Sequence, residues 1–249
     1  MKAGGRGGSG GGRGSSTGGR SVGGRTRVKT RRGRTNSSAR WLERQLNDPY
    51  VKRAQAEGWR ARAAFKLIEL DERFGVLAGA DRVIDLGAAP GSWSQVVLKR
   101  RPEAKVVGID LLEVEPLPGL VFVQGDFLAE GMDARLVEQL GGAPDLVLSD
   151  MAANMVGHPQ TDHFRTMALV EAAADFAMRA LKPGGTFVAK VLGGGAEAAL
   201  VAELKRHFET VRHAKPPSSR KESSETFLVA TGLKPRNAVV ADAGVLPEA

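Results

Sequence analysis

Apolar and polar positions follow two different periods along this chain, and the switches between them mark its elements. Residues 62–74 place Phe65, Leu67, Ile68 and Leu70 on one apolar face, which predicts a helix closed by Gly75. Shorter helices are expected over 41–46 and 50–56, separated by Asn47-Asp48-Pro49. From Asp81 onward, short apolar runs alternate with helical patterns. Strands are predicted at 82–86, 104–109, 120–123, 145–149 and 185–192. Helices are predicted at 92–99, 134–140, 166–181 and 196–208. The 166–181 helix shows Leu169, Ala173, Phe176 and Ala180 at helical spacing, and Pro183-Gly184-Gly185 stops it. Two last strands, 210–214 and 226–231, lie too close in sequence for a helical crossover and should pair antiparallel. The expected fold is therefore α/β: a mostly parallel seven-stranded sheet with one antiparallel strand and helices on both faces.

Composition divides the 249 residues unequally. Residues 1–40 hold eleven of the 36 basic residues, none of the 28 acidic ones and thirteen of the 32 glycines. The net charge of +8 is thus a property of this arm; the remainder has three more acidic than basic residues. An arm with almost nothing apolar cannot offset its ordering entropy, so residues 1–37 are expected to be disordered. Its arginines suit non-specific RNA contact, the plainer alternative being a solvated tail. Residues 38–235 should form the single folded domain, and 236–249, which lack periodicity, a loose tail. Absence of cysteine excludes disulfides, thiolate zinc sites and a cysteine nucleophile. Apolar runs are too short for a membrane span and no apolar secretory segment opens the chain, so a cytoplasmic monomer is expected.

Candidate chemistry starts at the first strand end, Asp85-Leu86-Gly87-Ala88-Ala89-Pro90-Gly91-Ser92-Trp93. Ligands of open α/β sheets sit beyond such carboxyl ends. Here G-x-G-x-x-G is missing, and the chain has no G-K-[ST] tripeptide. Pro90 also removes an amide that phosphate would need. NAD and ATP are disfavoured, which leaves an adenosine ligand without phosphates. The second strand ends at Asp110, 25 residues after Asp85, where a carboxylate can accept both ribose hydroxyls. The third leads to Asp126, placed to accept an adenine amino group, with Phe127 lining the ring. Each alone is a weak signal, since an Asp after a strand is often a turn residue. Three at successive strand ends are a stronger one.

The stretch from Asp85 to Gly91 with Trp93-Ser94-Gln95 resembles the S-adenosylmethionine loop of the FtsJ family of ribose 2′-O-methyltransferases, in particular its bacterial branch acting on 23S ribosomal RNA. The likeness continues through Ser149-Asp150-Met151-Ala152-Ala153-Asn154, Phe187-Val188-Ala189-Lys190-Val191 and Ser218-Ser219-Arg220 with Glu225. Upstream it includes Asp48-Pro49-Tyr50-Val51 and Arg60-Ala61-Arg62-Ala63-Ala64-Phe65-Lys66-Leu67. It covers about residues 38–235 and departs in small ways, with Ser92 for a usual glycine and Ala153 for a common proline. The resemblance implies a class I, Rossmann-like methyltransferase fold and a catalytic set of Lys66, Asp150, Lys190 and Glu225. It implies S-adenosylmethionine as cofactor, held by Asp85, Gly87, Gly91, Trp93, Asp110, Asp126 and Asp150, and no metal. The implied substrate is a uridine in the A-loop of 23S RNA within the assembled 50S subunit. Methylation of another RNA such as tRNA, or a non-catalytic ribosome-binding role, are the alternatives.

Such chemistry needs such residues. A ribose 2′-hydroxyl is mostly protonated at neutral pH, so a group must take or share its proton while oxygen, methyl and sulfur are held in line. Lys190 would act as base, aided by Lys66, or would stay charged and stabilise the alkoxide. Asp150 and Glu225 would orient the lysines. Outside the motif, a lysine in an apolar strand simply snorkels, and Lys66 is a solvent-facing helix residue. Glu222 is an alternative to Glu225 one turn of sequence away. RNA contact is expected from Arg53, Arg60, Arg62, Lys215, Arg220 and Lys221, with Trp59 or Trp41 to stack a base. The histidines lack metal-ligand spacing.

Overall fold

A computed structural model of the chain describes residues 46–153, 157–193 and 197–235. The expected basic arm 1–37, the tail 236–249 and all but the last residue of the 41–46 helix lie outside the described residues. Two compact units meet between Asp48 and Pro49, and everything below belongs to the second, Pro49–Ala249.

Helices α1 (Pro49–Ala56) and α2 (Ala64–Phe74) precede the alternating part. Then come β1 (Arg82–Leu86), α3 (Ser92–Arg100), β2 (Lys105–Asp110), β3 (Leu120–Gln124), α4 (Met132–Leu140) and β4 (Leu146–Ser149). The chain continues through α5 (Pro159–Ala180), β5 (Thr186–Leu192), α6 (Glu197–His207), β6 (Phe208–Ala214) and β7 (Glu225–Leu233). The strands form one sheet in the order β3-β2-β1-β4-β5-β7-β6. Only β7 runs against its neighbours, pairing antiparallel with β5 and with β6. The short β6–β7 connection allows a return strand but no crossover, so β7 slots between β5 and β6.

Two cores follow from the period-two alternation of the strands. Ile84, Leu86, Phe187, Ala189 and Val191 face α4, α5 and α6, whose Leu136, Phe176 and Leu204 are buried against them. Val83, Leu148, Val188, Phe227 and Val229 face α2 and α3, meeting Leu67, Leu70, Trp93 and Val97. The same alternation carries Asp85, Asp150, Lys190 and Glu225 to the α2 face, each two residues from one of these core positions. Parallel β1, β4 and β5 end together, and antiparallel β7 begins there, since Leu192 pairs with Glu225. Four charged residues thus gather at one end of the sheet.

Three helix starts differ from expectation by two residues or more, and the last two strands are each longer than expected. The helix predicted from 166 begins at Pro159, because its first two turns are polar and break the apolar spacing. Proline at the first helical position, with its φ preset, opens the helix instead. Helix α2 starts at Ala64 rather than at 62, after a turn in which Ala64, Phe65 and Lys66 donate to carbonyls three residues back. Helix α4 begins at Met132, two residues early, behind Gly131.

Candidate active site

The β1–α3 turn is pinned to the neighbouring strand. Gly87 N–H and Ala88 N–H both donate to the Ile109 carbonyl, at 2.9 and 3.0 Å. Ala89 N–H donates to Asp110 Oδ2 at 2.9 Å, and Leu112 N–H donates to Oδ1 of the same carboxylate at 2.9 Å. Asp110 therefore ties the glycine turn to its own loop. A carboxylate has about four lone-pair sites, so each oxygen keeps one for a ligand hydroxyl. Gly87 has φ +78°, and a Cβ there would lie 2.9 Å from the backbone nitrogen of Met151. Only glycine lets this turn sit so close to the β4 end. Gly91 precedes α3 with φ +92° and leaves the first-turn amides of that helix without intrahelical acceptors.

Asp85 lies beneath the turn with no exposed surface. Ser94 Oγ donates to its Oδ2 at 2.7 Å, while the buried Oδ1 has no partner among the described residues. Burial pushes its carboxyl up to about 7, and the Asp150 carboxylate adds to the rise. Such a group asks for a cationic or donor ligand, which fits an aminoacyl sulfonium better than any phosphate. Asp126 is exposed at the β3 end, with one oxygen accepting from Leu128 N–H at 2.9 Å. Leu111, Leu112 and Leu128 stand exposed beside Asp110 and Asp126. They supply apolar surface for a flat ring.

Two expected cofactor contacts are used otherwise by the fold. The Trp93 indole is buried, donates to the Ala63 carbonyl at 2.8 Å and packs on Phe227 with ring centroids 5.8 Å apart. Its backbone, in the first turn of α3, is the part left for a ligand. Phe127, expected to line the adenine, instead packs edge-on to Phe176 in the core.

The charged set forms one continuous chain of contacts. Lys190 Nζ lies 2.9 Å from Asp150 Oδ1 and donates to the Asp150 carbonyl at 2.6 Å. Lys66 Nζ lies 3.8 Å from the same Oδ1 and donates to Glu225 Oε2 at 2.8 Å. Ser219 Oγ donates to Glu225 Oε1 at 3.0 Å. Both lysines are buried. Two cations and two carboxylates balance, which is the condition for holding charges out of water. Glu222, the alternative by sequence, is exposed.

Behind this set, Ser218 N–H and Oγ donate to Glu69 Oε2 at 2.8 and 2.6 Å. Arg62 donates to the Ser218 carbonyl. The 215–223 loop is thereby fixed on α2. No apolar pattern could single out Glu69, which sits among other polar helix residues.

Several residues assigned to RNA contact have structural work. Arg60 donates through Nη1 to the Pro90 and Glu115 carbonyls, at 3.1 and 2.7 Å, and through Nη2 to Pro116 at 2.7 Å. Its backbone N–H donates to Gln95 Oε1 at 2.9 Å. Arg60 braces the glycine turn against the loop after β2. Arg53 is paired with Glu57 at 2.6 Å, and Lys215 donates to the Lys221 and Ser223 carbonyls within its own loop. Trp59 is half-buried, with Lys99 Nζ 4.4 Å above its ring. Arg220 and Lys221 remain on the surface loop beside the site. Trp41 lies outside the described residues. Among the described residues no group of three His, Cys, Asp or Glu is placed to hold a metal.

Comparison with known proteins agrees with this geometry. A family model described as FtsJ-like methyltransferase matches residues 59–233. Ribosomal RNA large subunit methyltransferase E of Rhizorhabdus wittichii is 64% identical over 214 residues, covering 86% of this chain and 93% of its own. The protein of that name from Zymomonas mobilis is 64% identical over 211 residues, covering 85% and 96%. A crystal structure of a ribosomal RNA methyltransferase from Plasmodium falciparum superposes with a TM-score of 0.63 at 33% identity, covering 72% of this chain and all of that one.

Proposed function

Starting from the FtsJ-like methyltransferase family, to which the chain belongs, we propose that it methylates the ribose 2′-hydroxyl of a uridine in the A-loop of 23S ribosomal RNA, within the large ribosomal subunit. The observation that carries this is the unbroken series Lys190–Asp150–Lys66–Glu225 at the carboxyl end of the sheet. The relatives' names supply the large-subunit RNA.

S-adenosylmethionine, when bound, supplies a methyl group already activated on a sulfonium. The residues that would hold it are Asp85, Gly87, Gly91 and the Trp93 backbone around the first turn, Asp110 at the ribose and Asp126 with the exposed leucines at the adenine. Asp150 borders both this region and the lysines.

Lys190 is the residue that meets the 2′-hydroxyl. Lys190 Nζ donates one hydrogen bond, to the Asp150 carbonyl, and is ion-paired with its carboxylate, so further donor capacity remains for the substrate oxygen. That oxygen must give up a proton as it gains the methyl: Lys190 either accepts it as the neutral amine or, as the ammonium, stabilises the developing alkoxide while the proton passes to water. Asp150 fixes the position of Lys190. Glu225 and Ser219 fix Lys66, which keeps a second positive charge 3.8 Å from Asp150. Placement of this kind lowers the barrier by holding oxygen, methyl and sulfur in line and by aiming charge at the reacting oxygen.

The test is direct. The protein is incubated with radiolabelled cofactor and, separately, with unmethylated large subunits, naked ribosomal RNA and bulk tRNA. Label is expected in one 2′-O-methyluridine of the large subunits. Label in tRNA, or in none of the RNAs, overturns the assignment.

A further inference from the structure

We propose that an anion site, distinct from the methyl-transfer centre, lies in the groove between the end of α2 and the sheet edge, and that it holds backbone phosphates of the RNA substrate. The groove is a cavity of about 410 Å³ lined by Arg73, Phe74, Thr210, Arg212, Val229 and Thr231. This proposal rests on the RNA substrate inferred above and deepens it.

Charge is the first argument. The body of the chain is net acidic outside the arm, yet two guanidinium groups converge on one groove and no carboxylate lines it. Neither Arg73 nor Arg212 has an acidic partner among the described residues, although neighbouring Asp71 and Glu72 are both engaged by Arg100. Like charges sharing a concave surface repel unless an anion sits between them. Arginine, with its planar fork of donors, matches phosphate oxygens two at a time.

The uncharged lining fits the same ligand. Thr210 Oγ1 and Thr231 Oγ1 are 2.7 Å apart across the β6–β7 pair. Their mutual bond uses one hydroxyl hydrogen and leaves the other to donate outward. The Arg73 guanidinium lies 4.9 Å from the Phe74 ring centroid. Stacking holds the group flat and leaves its N–H edge open. β6 is the last strand of the sheet, so no further strand covers Arg212.

Position makes the groove useful to the reaction. It shares the α2 face of the sheet with the catalytic set, through Phe227 and Val229. Arg73 lies seven positions after Lys66, about 10 Å along α2. Thr231 lies six positions after Glu225, about 20 Å along β7. Nucleotides flanking the target reach that far, so the groove anchors the RNA while its ribose enters the site. Phosphate contacts of this kind fix register and carry no sequence information.

The experiment uses the full chain with Arg73→Gln and Arg212→Gln combined. A control variant, Arg135→Gln with Lys205→Gln, removes the same charge from the opposite helical layer. Affinity for large-subunit ribosomal RNA is measured from low to moderate salt, together with methylation kinetics. The groove variant should bind RNA about tenfold more weakly and its salt slope should be shallower by about 0.7–1.8, the share of one or two phosphates. The RNA KM should rise with kcat unchanged at saturation. Inorganic phosphate should raise the melting temperature of the wild type more than that of the groove variant. Groove and control variants that behave alike overturn the proposal. A phosphate effect with no change in RNA affinity also overturns it, marking a free-phosphate site instead. Wild-type protein that methylates no ribosomal RNA refutes the functional assignment itself, a result distinct from either.

Discussion

At the residue scale, Lys190 and Asp85 are opposite cases of burial. Lys190 is buried beside a carboxylate and a carbonyl, so its charge is matched. On the proposed mechanism, truncation to alanine removes the group that meets the hydroxyl and leaves the residues assigned to the cofactor untouched. Lys190→Ala should therefore lose methyl transfer by at least 100-fold, the lower end of about 10²–10⁴ expected for a positioned acid–base group. Cofactor affinity by calorimetry should stay within a few-fold, and near-normal turnover would sink the assignment. Asp85 is buried with one oxygen lacking a donor, and its carboxyl titrates at about 7 instead of 3.8. A raised carboxyl means that the folded protein binds a proton which the unfolded chain has already released. Stability should then fall as pH rises from about 4 through 7, at up to about 1.4 kcal/mol per unit for this one group. Asp85→Asn mimics the neutral form, so the wild type should lose melting temperature relative to the variant between pH of about 5 and 7.5. Parallel curves would show that Asp85 does not titrate there.

At the element scale, the glycine turn depends on neighbours distant in sequence. Asp110 was legible as a carboxylate at the second strand end, with a ribose acceptor and a turn residue as its competing readings. The brace from Arg60 was not. Composition and position class Arg60 with the basic residues of the N-terminal segment, and only the fold brings it to the Pro90, Glu115 and Pro116 carbonyls. Trp93 and Phe127 show the converse. A motif predicts that such residues stand at the site, but the choice between packing and ligand contact belongs to the rotamer, which sequence does not reveal. Asp150, Lys190 and Glu225 were legible through the resemblance of their motifs to the FtsJ family, and the strand ends account for their shared face and height. Arg60→Ala should weaken cofactor binding about tenfold, since charge-assisted bonds contribute roughly 1.5–3 kcal/mol each and the turn can partly relax. RNA affinity should change by less than about twofold, as calorimetry and filter binding can compare. A variant that loses RNA affinity and keeps the cofactor would return Arg60 to the RNA-facing group. Asp110→Ala should weaken cofactor binding at least as much, because it removes both the ligand acceptor and the tie to Ala89.

At the scale of the whole molecule, charge and fold are separated along the chain. The family match ends at residue 233 and begins at 59, so the basic arm lies outside it. Residues 1–36 carry ten positive charges and no negative one, with very few apolar side chains. Nothing in their composition suits them to a core. Removing residues 1–36 should accordingly leave the melting temperature and cofactor affinity unchanged. Association with RNA should weaken, because each phosphate that the arginines neutralise releases counterions. The slope of log affinity against log salt should become shallower by about 0.7–0.9 for every phosphate that the shortened chain leaves unneutralised. Turnover at saturating large subunits should stay near that of the full chain, since an RNA-binding role for the arm would act on encounter and retention and the site residues all lie outside it. A truncated protein with unchanged affinity and unchanged slope would assign all RNA binding to the folded body, with the α2–β6 groove as its first candidate.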